Sequence, residues 1–185
     1  MILDGIGEIV KHALLKGGKS YHNIKNNLHH LPKDIKKSEK VIYDSLLIKK
    51  EIVEEDELEK NTRRLLNYGH SFGHALEGYN KNAVPHGIAV TIGMDMANFI
   101  SMKRGLISQE EFEEISKFLR DYIPYKEFKI DDLDTYMEFL SRDKKVVGDE
   151  LNAILCKGIG KIKIIKIKLD SQLKNEIKSY LKHFS

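Results

Sequence analysis

Arg63-Arg64-Leu65-Leu66-Asn67-Tyr68-Gly69-His70-Ser71-Phe72-Gly73-His74-Ala75-Leu76-Glu77 is the stretch from which the fold is read. Arg63, Asn67, His70, His74 and Glu77 recur at alternating steps of four and three residues. At about 3.6 residues per turn they fall on one narrow stripe of a helix. Leu65, Leu66, Phe72, Ala75 and Leu76 occupy much of the remaining circumference. The expected helix is therefore apolar around a polar seam, the inverse of a surface helix. An arginine, an amide, two imidazoles and a carboxylate set against a packed core should line a wet cavity or hold an ion. Gly69 and Gly73 form a second stripe. Each is about 1 kcal/mol less favourable than alanine in a helix, which close approach of a second backbone or a ligand would offset.

Working outward, Ile6, Ile9, Val10, Ala13 and Leu14 give residues 3–16 a helical period, and Val41, Leu46, Ile48 and Val53 do the same for residues 34–54. Asn61 or Thr62 can cap the polar-seamed helix, which is expected to run to about Tyr79. The residue before Pro85 must be extended, so the next helix is expected from His86 to about Arg104. Ser108-Gln109-Glu110-Glu111 reads as an N-cap with an acidic first turn, opening a helix that Pro124 closes off. Residues 131–140 and 171–184 are further helical segments. Between them, residues 151–156 and 161–169 flank Lys157-Gly158-Ile159-Gly160 and read as a hairpin. The expected fold is mainly α: one multi-helix domain over residues 1–185 with one small β-hairpin.

A chain of 185 residues suits one ordinary domain or half of a larger enzyme. With 41% apolar and 32% charged residues it can bury a core, which excludes a disordered tail. Its single cysteine, Cys156, excludes a disulfide framework or a four-cysteine zinc site and fits a reducing cytoplasm. The longest apolar stretch, residues 88–100, is broken by Asp95 and Asn98 and falls short of the ~20 residues that span a bilayer. The first residues carry no basic region, so no secretory signal is read there. A net charge of +3 from 31 basic and 28 acidic groups gives nucleic-acid binding no support.

His86, between Pro85 and Gly87 at a helix start, strengthens the metal reading. The positive end of the helix dipole disfavours imidazolium there, and a neutral imidazole is the ligand form. A catalytic zinc takes three protein ligands and keeps one open position, so two histidines call for a carboxylate. Glu8, with Lys11 one turn later, is one candidate; spacing alone does not choose between Glu8, Glu77 and Asp95. Lys49 reads by default as part of a solvated helix face. In Arg142-Asp143-Lys144-Lys145 the two lysines suit a phosphate or carboxylate, or a helix C-terminus. Lys161, Lys163, Lys166 and Lys168 alternate with isoleucines as charges that keep an edge strand from aggregating.

Residues 66–77, followed by His86-Gly87-Ile88-Ala89-Val90 and Gly93-Met94, resemble 3-dehydroquinate synthase and its sugar-phosphate cyclase relatives. The resemblance extends to Gly7-Glu8-Ile9-Val10-Lys11, to Lys49 with Asp56 and Arg63, and to residues 142–145. It corresponds to the family's C-terminal helical half, and Met1 falls about where the NAD-binding N-terminal half would end. Position by position it implies Glu8, His70 and His86 as ligands of zinc or a similar divalent ion. Around the substrate it implies Lys11, Lys49, Arg63, Asn67, His74 and Lys144, so that His74, a ligand by its spacing from His70, stands beside the substrate instead. The implied activity is that of a lyase of the shikimate route to aromatic amino acids. A seven-carbon phosphorylated keto sugar acid is oxidised by NAD, loses phosphate, is reduced again and closes to a carbocycle. The implied partners are that substrate, an NAD-binding N-terminal half and further copies in a homo-oligomer, with no nucleic acid and no membrane.

Ile88 departs from the glutamate that family members usually carry after His-Gly, which removes a carboxylate beside a metal ligand. NAD also has no expected site within the chain, since no strand is followed by a Gly-rich phosphate turn. Two other readings compete. One is a metal-dependent polyol or alcohol dehydrogenase, where an aspartate would be expected in place of Glu8. The other is a non-catalytic, metal-stabilised helical module that pairs with another protein.

Overall fold

Helix α5 (His86–Lys103) is the axis of the molecule: every residue from Gly87 to Ser101 is buried. The computed structural model describes residues 2–81, 83–125 and 129–184. Around α5 pack α1 (Ile2–Lys16), α4 (His70–Tyr79), α6 (Gln109–Arg120) and α8 (Ser171–Phe184). Helices α2 (Gly18–Asn27) and α3 (Ile35–Glu55) lie against α1, and α7 (Leu133–Ser141) lies against α4. Strands β1 (Val146–Val147), β2 (Glu150–Cys156) and β3 (Ile162–Lys168) form an antiparallel sheet in the order β1-β2-β3, with β2 packed on α5. Among the described residues no helix is long and apolar enough to cross a membrane.

The mainly α expectation holds, and most helix ends fall where the caps placed them. Ser108 Oγ accepts the Glu111 amide at 3.2 Å while Glu111 returns a carboxylate to the Ser108 amide at 3.0 Å, a complete capping box. Asp132 caps α7, its side chain accepting the amides of Asp134 and Thr135. The hairpin is present as β2 and β3, enlarged to three strands by β1, which pairs Val146 with Leu151. Lys163, Lys166 and Lys168 are exposed on β3, the edge strand. Helix α2 has no counterpart in the sequence reading. Only Tyr21 and Ile24 of its ten residues are buried, too few to show a period.

The largest departure concerns residues 62–79. Instead of one helix there is a 3₁₀ segment (Thr62–Asn67), an extended Tyr68 and a left-handed Gly69 at φ 78° before α4 begins. The break lets Tyr68 bury its ring completely and donate its hydroxyl to Asn98 of α5. It also brings α4 against α5 with almost no gap. A Cβ on Gly93 would lie 2.0 Å from the Gly69 carbonyl oxygen, and one on Gly73 would lie 2.9 Å from the Ala89 oxygen. On the other side of α5, a Cβ on Gly7 would stand 2.4 Å from the Gly87 oxygen. The expected close backbone approach is therefore real, and its partner is α5.

These contacts give opposite expectations for two glycines. Gly93→Ala has to push α4 and α5 apart and should cost about 2 kcal/mol or more. Gly5, a helical position with nothing within 4 Å of its would-be Cβ, should gain about 0.5–1 kcal/mol as alanine. Urea unfolding of both variants checks the pair, and equal effects would contradict the packing described.

Candidate metal centre

Three helix segments meet at one point. Glu8 projects from the middle of α1, while His70 and His86 are the first residues of α4 and α5. One ligand atom from each lies within 4.8 Å of the others. The local sequence explains why the two histidines open helices. Left-handed Gly69 precedes His70 and extended Pro85 precedes His86. Asp4 of α1 then accepts the Gly87 amide at 2.9 Å, capping α5 from a neighbouring helix and tying Glu8's helix to His86.

Each imidazole is oriented through Nδ1. That of His70 donates to the Tyr68 carbonyl at 3.2 Å, leaving Nε2 at 3.8 Å from Glu8 Oε1. That of His86 lies 3.0 Å from Glu77 Oε1. Burial and the nearby Lys11 ammonium push the His70 pKa down to about 3, so its ring is neutral and keeps a lone pair at neutral pH. Burial opposes the Glu8 carboxylate, but Lys11, whose Nζ donates to both carboxylate oxygens at 2.8 Å, outweighs it and holds Glu8 below the usual carboxylate range. Lys11 is only 2% exposed, and for it burial wins over the ion pair, lowering its own pKa. One carboxylate and two imidazoles, each held through its second nitrogen, form a donor set that fits zinc or a similar divalent ion.

The candidate acid-binding side chains gather beside this trio despite the broken helix. Glu8, Lys11, Lys49, Arg63, Asn67 and His70 line one cavity of about 220 Å³, together with His12, Glu59 and Leu66. The single-stripe expectation is corrected here: Arg63 and Asn67 reach the cavity from the 3₁₀ segment, not from α4. Buried Asp56 holds that segment by accepting the amides of Lys60, Asn61 and Arg63. Asn67 also lines a neighbouring cavity of about 280 Å³ with Arg64, Lys144 and Lys145. Lys144 is exposed there, whereas Lys145 is half-buried and donates to Asp143 at 2.9 and 3.0 Å. Asp143 Oδ2 stands 4.0 Å from His74 Nδ1, so Lys145 is the lysine linked to His74. Burial lowers the His74 pKa from its ordinary value.

Of the three carboxylates that spacing left open, Asp95 is placed out of reach. It is fully buried among α6 and α8, where Arg120 donates to it at 3.1 Å and the Tyr180 hydroxyl at 3.0 Å. Glu77 forms a second convergent group with His74 and His86. His12 was absent from the sequence reading although it follows Glu8 by one helical turn, which was the available signal. It is 3% exposed and shares a 2.8 Å hydrogen bond with Ser45 through Nδ1, and burial drives its pKa to about 4. Ile88 packs into the core at 4% exposure.

The family model described as 3-dehydroquinate synthase C-terminal matches residues 5–146. The chain belongs to the 3-dehydroquinate synthase family. It is 37% identical over 168 residues to the 3-dehydroquinate synthase of Dictyoglomus turgidum, covering 88% of this chain and 46% of that one. To the Helicobacter pylori enzyme of the same name it is 37% identical over 162 residues, covering 86% of this chain and 46% of the relative. This member of the family thus spans about half the length of the curated relatives it matches. The fold is shared with a crystal structure of 2-deoxy-scyllo-inosose synthase complexed with carbaglucose-6-phosphate, NAD+ and Co2+, at a TM-score of 0.76 and 22% identity over 98% of this chain and 52% of that one. It is also shared with 2-epi-5-epi-valiolone synthase from Streptomyces hygroscopicus with NAD+ and Zn2+ bound, at a TM-score of 0.77 and 22% identity over 99% of this chain and 51% of that one.

Proposed function

We propose that this chain is the metal-binding half of a cyclase of the 3-dehydroquinate synthase type, acting on a phosphorylated keto sugar acid with NAD held by an N-terminal half. The observation that carries the proposal is the shared cavity. Glu8 and His70 line it together with Lys11, Lys49, Arg63 and Asn67, and a His86 ligand atom lies within 4.8 Å of theirs. A divalent ion held by the trio would supply Lewis-acid polarisation of a substrate hydroxyl or carbonyl oxygen.

The remaining work falls to this chain's side chains. Arg63 offers a planar fork to the acid end, with Lys49 as a point charge and Asn67 as an amide donor. Buried Lys11 keeps Glu8 ionised and therefore ready as a donor. His74, its ring 5.3 Å from that of His70, has its pKa lowered by burial, which favours the neutral imidazole that can accept and return a proton as phosphate leaves. Lys144 and Lys145 place two positive charges one cavity away, joined to the first by Asn67.

Inorganic phosphate or sulfate tests this arrangement. A crystal structure of the chain with either anion is expected to place it within hydrogen-bond reach of at least two of Arg63, Asn67, Lys49 and Lys144. Lys49→Ala and Arg63→Ala should each weaken phosphate binding by about tenfold, in line with loss of one charge-assisted hydrogen bond. An anion bound elsewhere, with both variants unaffected, would leave a metal-stabilised fold and remove the substrate site.

A further inference from the structure

His86 is the ligand least supported by its own surroundings. Its side chain is 48% exposed, against 14% for His70, and it sits on the first residue of its helix. A ring so exposed can turn freely unless something holds it. Glu77 is in place to do so: its side chain is 17% exposed, and Oε1 lies 3.0 Å from His86 Nδ1. Because α4 carries His70 at its start and Glu77 two turns later, one rigid helix supplies both a ligand and the brace for a ligand on the next helix.

We infer that Glu77 is a positioning residue of the metal centre, accepting the Nδ1–H of His86 and so aiming Nε2 at Glu8 and His70. The inference rests on the Glu8–His70–His86 reading of the centre. The rival arrangement makes Glu77 itself a ligand, together with His74 and His86, because those three also converge within 4.8 Å. The two roles exclude each other. The nitrogens of an imidazole point away from one another, so an ion on Nε2 is out of reach of the carboxylate that holds Nδ1. The bond geometry favours the brace, since the Nδ1 to Oε1 distance is that of a hydrogen bond already made. His70 repeats the design with a backbone carbonyl, Tyr68, in the place of Glu77. Carboxylate or carbonyl acceptors behind ligating histidines fix the tautomer and raise ligand basicity, and their loss costs about 10- to 100-fold in metal affinity.

The test is chelator-competition titration of the 185-residue chain with Co2+, read also by its visible absorption. Glu77→Ala is expected to weaken Co2+ about 10- to 100-fold while the absorption spectrum at saturation stays that of the wild type, because the ligand set is unchanged. Glu77→Gln keeps an acceptor oxygen for Nδ1–H and should lose less, about threefold to tenfold. His74→Ala should bind Co2+ as tightly as the wild type. Wild-type affinity in both Glu77 variants overturns the inference. Loss of binding in Glu77→Ala and His74→Ala, with normal loading of His70→Ala, would instead overturn the centre itself and put the ion on the second trio.

Discussion

The chain loaded with zinc and passed through a desalting column is expected to retain about one ion per molecule, and His70→Ala or His86→Ala to retain almost none. The reason lies in how the donors are distributed. Each of three helices contributes one, and the other convergent donors among the described residues, His74 and Glu77, meet at His86, with Glu77 already hydrogen-bonded to it. Removing His70 leaves Glu8 and His86 with Lys11 as neighbour, a buried ammonium that repels a cation. The affinity loss should therefore exceed the roughly 100-fold upper range seen when only an outer partner is removed. Elemental analysis of the two variants checks the expectation. Full metal content in both would place the ion away from this centre.

The second large effect is catalytic. The chain by itself is expected to neither bind NAD nor release phosphate from the seven-carbon phosphorylated keto sugar acid. Turnover should appear when the N-terminal half of a relative is added or fused. Hydride transfer needs a nicotinamide held over the substrate carbon, with its pyrophosphate on a Gly-rich turn that opens a helix. The described strands are all antiparallel, and Gly158-Ile159-Gly160 serves as the β2–β3 turn. That turn is already docked: the Gly160 amide donates to the Leu14 carbonyl at 2.9 Å, and a Cβ on Gly17 would meet Gly160 Cα at 2.7 Å. Calorimetry with NAD and a phosphate-release assay, each with and without the added half, decide the matter. Phosphate release by the chain alone would overturn the account. Silence after complementation would point to a lesion such as Ile88, or to the non-catalytic module.

What could be read before the structure divides along physical lines. Helices α5 and α6 were legible because their ends are written locally, in Pro85 before His86 and in the Ser108–Glu111 box. The break before α4 was not, because it is enforced from outside. Gly69 is left-handed and pressed on Val90 and Met94, and a helical period cannot register a contact with a helix that comes later in the chain. The same holds for the candidate third ligand. Glu8, Glu77 and Asp95 look alike in a sequence, and only the fold gives Asp95 its arginine and tyrosine, Glu77 its histidine, and Glu8 its place within 4.8 Å of both imidazoles. Resemblance to the family pointed to Glu8 where spacing could not. His12 escaped the reading although it follows Glu8 by one turn, because the partner that buries it, Ser45, lies on another helix.

Because the three donors sit on helices that the chain reaches at its beginning and near its middle, an ion held there can be gripped only after those distant parts have assembled. Metal supply then becomes a term in folding itself. Each bound ion draws the equilibrium toward the assembled chain by mass action, and the gain grows with the logarithm of free-ion concentration. The assembled chain starved of ion is not left with a bare cluster of like donors, since Lys11 already neutralises Glu8 and burial keeps His70 uncharged. Lys11 thus balances the charge of Glu8 inside the assembled chain.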